Sequence, residues 1–422
     1  MILDTMTITP AHLSGTVKAI PSKSDAHRLL IASALADRCT KLVMTGGSED
    51  ISATIGCLRA LGAYIELQSD GIAVSPIDDV PERPLLDCHE SGSTLRFLLP
   101  VAAAVSEHAA FTGQGRLPQR PIGELCTAMG SGGVSFSSDR LPLETSGRLK
   151  SGVYRLPGGI SSQYITGMLM ALPITGGDSE IILTDKLRSG AYVDITLGVL
   201  KRFGIEVKKT DSGYFIPGGQ RYRSPGKTEV DGDWSNGAFL LCAGAVGGSV
   251  TVSGLYPDSP QGDKGIVDLL RRMGADVSVN GNSVTVSGGK LRGCEIDIDE
   301  TPDLLPALAM AAAFAEGDTS FVNGARLRIK ESDRLAACAG LIADLGGSAE
   351  ETADGLIVHG TGLRGGTTHG RGDHRIVMAA AIAAAGCKEQ VTVTGCNAVN
   401  KSYPAFFDDY AKLGGRVSGY PY

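Results

Sequence analysis

The chain has 422 residues, long enough for two or three domains with cores of their own. Its 39 Lys and Arg against 46 Asp and Glu, a formal net charge of -7, exclude a broad basic footprint for nucleic acid or an anionic membrane surface. Hydrophobic residues at 42% exclude a disordered chain, and 57 glycines, roughly twice the usual share, follow no Gly-x-y period.

Two kinds of helix are predicted to alternate along the chain. A buried helix starts at Ser22-Lys-Ser-Asp-Ala-His-Arg28, and an amphipathic one closes at Leu58-Arg-Ala-Leu-Gly62. The pair recurs at Glu90-Ser-Gly-Ser-Thr-Leu-Arg96 and Leu125-Cys-Thr-Ala-Met-Gly130, then at Ser161-Ser-Gln163 and Leu200-Lys-Arg-Phe-Gly204. It recurs again at Asp233-Trp-Ser-Asn236 and Leu270-Arg-Arg-Met-Gly274, and at Glu300-Thr-Pro-Asp303 and Leu341-Ile-Ala-Asp-Leu-Gly346. The last pair is Gly372-Asp-His-Arg375 and Tyr410-Ala-Lys-Leu-Gly414. The closing glycines lie 68, 74, 70, 72 and 68 residues apart, the signature of a sixfold repeat. Each is expected to be the left-handed residue that ends its helix. Strands follow in most copies, as in Asn282-Ser-Val-Thr-Val286.

Three repeats per domain is the simplest partition. The Pro/Gly-bearing stretch Arg221 to Lys227 and the crossing near Lys18 to Pro21 predict one domain of residues 20–230 and another of 1–19 and 231–422.

Standard cofactor motifs fail. Gly360-Thr-Gly362-Leu-Arg-Gly365 spells a dinucleotide fingerprint, but no helix opens after it. Histidines and cysteines show no ligand spacing, so neither metal nor cofactor is expected. Nine scattered cysteines without a CxxC pair, no basic-then-apolar leader and no apolar stretch near 18 residues point to a cytoplasmic protein without a membrane segment.

The helix starts carry the chemistry. Cations in a first turn oppose the helix dipole, yet Lys23, Arg28, Arg96 and Arg375 are read there; they make sense if an anion joins them. Lys330-Glu331-Ser-Asp333-Arg334 reads as a solvated helix start or as a carboxylate held between cations in a first turn. Asp303 reads equally as a plain N-cap or as a site carboxylate.

Taken together, S-K-S-x-x-x-R, G-[ST]-x-x-R, R-P-I, S-S-Q, S-x-x-Y-x-D-I-T, P-D, K-E-S-D-R, D-H-R and K-S-x-P occur in this order from Ser22 to Pro404. The set resembles the EPSP synthase (3-phosphoshikimate 1-carboxyvinyltransferase) family of enolpyruvyl transferases. The resemblance implies an α/β fold of two domains, each of three β-α-β-α-β-β units with buried helices (an inside-out α/β barrel), and an active site in the interdomain cleft. It implies transfer of the enolpyruvyl group of phosphoenolpyruvate to the 5-hydroxyl of shikimate 3-phosphate by addition–elimination through a tetrahedral intermediate. Both substrates are small molecules, and a monomer is expected.

Residue by residue, the resemblance places shikimate 3-phosphate against Lys23, Ser24, Arg28, Ser161, Ser162, Gln163, Ser189, Tyr192, Asp303 and Lys330. It places phosphoenolpyruvate against Lys23, Gly92, Arg120, Gln163, Arg334, Arg375 and Lys401. Asp303, Glu331 and Lys23 are the implied catalytic residues: Asp303, or alternatively Lys23, takes the hydroxyl proton, and Glu331 gives a proton to the methylene carbon with Lys23 assisting. Two phosphates and two carboxylates bring roughly -5 to -6 of charge, met by the seven cations Lys23, Arg28, Arg120, Lys330, Arg334, Arg375 and Lys401. Glu90, where the family often has Asn, and Arg326, at a usual Asn position, depart from the pattern. Two other readings stand beside this one. A UDP-N-acetylglucosamine enolpyruvyl transferase carries a loop Cys shortly before its Arg-Pro, and Gly115-Arg-Leu-Pro-Gln119 has none. A non-catalytic anion-binding scaffold would not need Asp303, Glu331 and Lys23 together.

Overall fold

The computed structural model describes residues 4–419. Two compact units result: Pro21–Val230, and the residues up to Ile20 joined to those from Asp231 onward. Each unit holds three repeats of strand, helix, strand, helix, strand, strand. The second repeat shows the plan: Leu85–Asp87, helix Gly92–Val105, His108–Thr112, helix Gly123–Ser131, Ser135–Phe136 and Leu143–Ser146. Its first two strands are parallel because a helix carries the chain back between them, and the closing hairpin is antiparallel. All six repeats build a four-stranded sheet with the same order, first, second, fourth, third.

Three strands are borrowed from distant sequence. Thr5–Thr9 pairs with Val391–Thr394 and Arg416–Ser418 as the fourth strand of the sixth repeat. Ser14–Lys18 runs parallel to Ser249–Ser253 as the first strand of the fourth repeat. Lys227–Glu229 supplies the first strand of the first repeat, beside Thr40–Val43.

The first helix of every repeat is apolar nearly all round, so it must be enclosed. Lys23–Ala34, Gly92–Val105, Ser162–Ala171, Trp234–Gly247, Leu305–Ala313 and His374–Gly386 are buried along most of their length. Strands such as Ser249–Ser253 and Ser283–Ser287 alternate buried and half-buried residues, one face on the helices and one outward. Helices therefore lie inside and sheets outside, around a separate apolar core in each unit. Each fully buried Leu, Ile or Met in the helices contributes about 1.5–3 kcal/mol.

Helix ends position the functional side chains. Ser22, Ser91, Ser161, Asp233 and Asp373 cap five buried helices, each accepting a backbone N–H two or three residues on. The fifth repeat differs. A 3-10 turn, Pro302–Leu304, leads into its helix, Thr301 makes no side-chain cap bond, and Asp303 lies within the turn. The reading of Asp303 as a plain N-cap is thereby overturned; its carboxylate is engaged elsewhere.

Three other expectations are corrected. Gly62, Gly204, Gly274, Gly346 and Gly414 have positive φ at their helix ends, but Gly130 does not. The Gly123–Ser131 helix runs past Gly130, and Gly133, at φ 94°, takes the left-handed position. Arg28 and Arg96 lie one turn inside their helices rather than in the first turn. Glu331 precedes its helix, Arg334–Asp344, whose N-cap is Asp333.

Candidate active site

In the Pro21–Val230 unit the expected residues gather at starts of buried helices. Lys23, the first residue of its helix, donates to Asp50 Oδ2 at 2.8 Å from the neighbouring helix, Glu49–Ala60. Arg28 is buried and engaged by the protein's own oxygens. Its Nε donates to Thr196 Oγ1 at 2.8 Å and its Nη2 to the Tyr192 carbonyl at 2.9 Å. Nη1 donates to the Ser24 carbonyl at 2.5 Å, and the guanidinium lies 4.8 Å from the Phe97 ring centre. Burial pushes Arg28 down to about 10, so it remains a cation at neutral pH. Its first effect is to tie the helix starts carrying Ser24 and Tyr192. Ser189, in the left-handed region at φ 53°, starts the Gly190–Arg202 helix beside them.

A second group surrounds Gly92. Arg96 Nη1 donates to Gln163 Oε1 at 3.0 Å, and Gln163 Nε2 donates to Ser93 Oγ at 2.9 Å. Arg96 Nη2 and Tyr164 Oη both donate to the Pro121 carbonyl, at 3.2 and 2.6 Å, which fixes the Arg120–Pro121 loop. Gly92 faces the Nη1 atoms of Arg96 and Arg120, so one bare backbone site lies beside two guanidiniums. Ser161 caps the helix carrying Ser162 and Gln163. Glu90 lies against Gly115 of the loop before Arg120.

In the other unit the chemistry concentrates on Arg334. Its Nε donates to Asp373 Oδ2 at 2.9 Å, Nη1 to Asp303 Oδ1 at 2.6 Å and Nη2 to Glu331 Oε2 at 2.8 Å. Arg375 Nη2 meets Asp303 Oδ2 at 3.0 Å, its Nη1 meets the Asp303 carbonyl at 3.0 Å, and Lys330 Nζ stands 3.8 Å from Oδ1. Asp373, with no exposed side chain, also accepts from Ser332 Oγ at 2.9 Å and caps the helix that carries Arg375. Burial raises the Asp303 carboxyl, but Arg375, Lys330 and Arg334 outweigh it and hold the group well below the usual carboxylate range. Asp263, fully buried and bonded to Ser235 Oγ, is pushed up to about 6 by burial and then by the Asp303 charge. Lys401 is buried at the end of the Cys396–Lys401 turn. Arg326 is held by Asp299, with Nη2 to Oδ1 at 2.9 Å.

The expected residues thus divide between the two units, as two groups in Pro21–Val230 and one around Arg334 in the other unit. Sequence reasoning names Asp303 and Glu331 but passes over Asp50 and Asp373 as partners of the cations. Asp50, Asp303, Glu331 and Asp373 already pair with Lys23, Arg334 and Arg375, so these three of the seven cations are not bare charges. Arg96 and Asp373 lie inside the G-[ST]-x-x-R and D-H-R motifs, which carried their signal; Asp50 is marked only as a first-turn acid. Among the described residues no group of three or more His, Cys, Asp or Glu is placed to hold a metal ion, and no helix is long and apolar enough to cross a membrane.

The sixfold β-α-β-α-β-β repeat is a fold shared with solved enolpyruvyl transferases. The solved EPSP synthase from Acinetobacter baumannii superimposes with a TM-score of 0.82 over 98% of this chain and 99% of that one, at 24% identity. The enolpyruvyl transferase NikO from Streptomyces tendae gives 0.79 at 19% identity, covering 98% of each chain. The profile of the EPSP synthase (3-phosphoshikimate 1-carboxyvinyltransferase) family matches residues 8–410, and the chain belongs to that family. It is 40% identical over 416 residues to the 3-phosphoshikimate 1-carboxyvinyltransferase of Clostridium kluyveri, covering 98% of both chains. With that of Clostridium acetobutylicum it shares 41% over 419 residues, 97% of both chains.

Proposed function

We propose that the protein transfers the enolpyruvyl group of phosphoenolpyruvate to the 5-hydroxyl of shikimate 3-phosphate and releases phosphate. The observation that carries this reading is the arrangement in which Arg334 joins Asp303 to Glu331 with Arg375 on the same carboxylate. One small volume then offers two guanidiniums for an anion and two carboxylates for proton transfer.

In the addition step the 5-hydroxyl oxygen bonds to C2 of the enol, its proton passes to Asp303, and a proton from Glu331 forms the methyl group at C3. The tetrahedral intermediate then loses phosphate from C2, which carries away the proton taken up by Asp303, and C3 returns a proton to Glu331, which restores the double bond. Atoms balance as one enol ether and one phosphate. Lys23, Gly92, Arg120, Gln163, Arg334, Arg375 and Lys401 would hold phosphoenolpyruvate. Lys23, Ser24, Arg28, Ser161, Ser162, Gln163, Ser189, Tyr192, Asp303 and Lys330 would hold the acceptor, Arg28 chiefly by fixing Ser24 and Tyr192. Positive charge that builds at C2 during protonation is stabilised by the two carboxylates.

The sister activity toward UDP-N-acetylglucosamine has less support. The loop before Arg120 lacks a cysteine, and Cys126 is buried in the Gly123–Ser131 helix with its thiol pushed up to about 12 by burial. Phosphate release measured with phosphoenolpyruvate and either acceptor tests the reading. Release with shikimate 3-phosphate alone is expected, and its absence would refute the proposal.

A further inference from the structure

Asp303 is a strange base as it stands. Both of its carboxylate oxygens are taken by guanidiniums, Oδ1 by Arg334 at 2.6 Å and Oδ2 by Arg375 at 3.0 Å, with Lys330 at 3.8 Å. Protonating a carboxylate held in this way removes the charge that strengthens both hydrogen bonds and leaves buried cations uncompensated. Glu331 is in the same position, because the remaining end of Arg334 holds it at 2.8 Å. The two groups assigned to proton transfer are therefore clamped by the residues assigned to the donor anion.

Resting on the function proposed above, we infer that phosphoenolpyruvate itself releases the proton-transfer carboxylates, by taking the Nη groups of Arg334 and Arg375 from Asp303 and Glu331. The geometry permits an exchange in place. Arg334 keeps its Nε on Asp373 Oδ2 at 2.9 Å, and Asp373 is fixed by Ser332 Oγ and by the backbone N–H of Arg375. One edge of the guanidinium is anchored while the Nη edge changes partners. Asp373 is thus a positioning residue, and it stays ionised throughout.

The charges facing Asp303 set the direction of the change. Arg375, Lys330 and Arg334 favour its ionised form, while burial, Glu331 and Asp263 disfavour it. The acidic groups of phosphoenolpyruvate neutralise Arg334 and Arg375 and leave burial, Glu331 and Asp263 in place, so the proton affinity of Asp303 rises when the donor arrives. An acceptor bound alone meets a carboxylate too weak to take its hydroxyl proton, and chemistry waits for both substrates.

The test uses enzyme labelled with 13C at the aspartate carboxyl carbons, with Asp303→Asn to assign the Asp303 signal. Spectra are recorded against pH for the free protein and with phosphoenolpyruvate plus an acceptor lacking the 5-hydroxyl, which prevents transfer. Calorimetry verifies occupancy. The Asp303 signal is expected to titrate higher by roughly 1–3 pH units in the complex. Arg375→Gln is expected to move it upward without phosphoenolpyruvate. Titration unchanged by bound phosphoenolpyruvate would overturn the inference and leave the proposed function standing. Failure of phosphoenolpyruvate to bind would remove the functional reading and this inference with it.

Discussion

Gly92 lies so close to Arg120 that a Cβ added to it would stand 2.6 Å from Arg120 Nη1, and 2.7 Å from Nη1 of Arg96. The atoms in the way are ends of long side chains, so the site adapts by moving its cations. Gly92→Ala is expected to fold normally and to raise KM for phosphoenolpyruvate roughly tenfold, about 1.4 kcal/mol, with a smaller effect on kcat. Steady-state kinetics with each substrate varied checks this. An effect confined to KM for shikimate 3-phosphate would remove Gly92 from the donor site.

Asp303→Asn keeps the shape of the side chain and removes its capacity to take a proton. The expected loss in kcat is about 10²–10⁴-fold, with circular dichroism unchanged. Near-normal turnover would transfer the role of base to Lys23.

Asp373→Ala removes the cap of the His374–Gly386 helix and leaves buried Arg334 without its Nε partner. Breaking a buried pair from one side costs about 3–5 kcal/mol, so the urea midpoint should fall markedly. The pH sign follows from the Asp373 carboxyl. Burial raises it, Arg334 and His374 lower it more, and the net direction is below the usual carboxylate range. Its stabilisation is complete above the ordinary aspartate range and fades as pH falls below it. Asp373→Ala should therefore differ most from the parent at neutral pH.

His27 contributes a second acid-side loss. Fully enclosed, with Nδ1 2.6 Å from Thr54 Oγ1, it is lowered by burial from 6.5 to about 3. A proton binds the unfolded chain but not the folded one between those values. Stability should fall as pH drops below 6.5, by roughly 5 kcal/mol over the whole window at 1.36 kcal/mol per unit. Urea midpoints from pH 7 to pH 4.5 should show this slope, and His27→Gln should flatten it.

Gly130 and Gly133 give a paired test of helix termination. Gly130 is helical with open space where a Cβ would go, so Gly130→Ala should stabilise by about 0.4–1 kcal/mol. Gly133 has φ 94°, so Gly133→Ala should destabilise by about 1 kcal/mol or more. Thermal melts of both variants decide it; equal effects would be evidence against the assignment.

That pair also shows how far the fold could be read in advance. The repeat near 70 residues and the buried helix starts at Ser22, Ser161 and Asp233 were legible, because local capping and apolar periodicity set them. Gly130 misled because Gly-Ser-Gly-Gly offers several glycines, and the register of the chain beyond selects Gly133. The site was legible as residue types in motifs. Its pairing was not. The Arg375 contact with Asp303 spans 72 residues and Arg28 reaches Tyr192 across 164, distances that no local rule crosses. The 3-10 turn that frees Asp303 from capping depends on the packing of Pro302 and Leu304, both buried.

The borrowed strands have a consequence for synthesis. Pro21–Val230 is one continuous segment, with all its sheets encoded between its own ends. It can close as soon as Lys227–Glu229 emerges from the ribosome. Thr5–Thr9 and Ser14–Lys18 are made before that unit, yet their neighbours are Val391–Thr394, Arg416–Ser418 and Ser249–Ser253. Thr5–Thr9 is among the last strands to find its partners, and Ser14–Lys18 waits until Ser249–Ser253 is made. For most of translation they wait with open edges, exposed to pairing with another nascent chain.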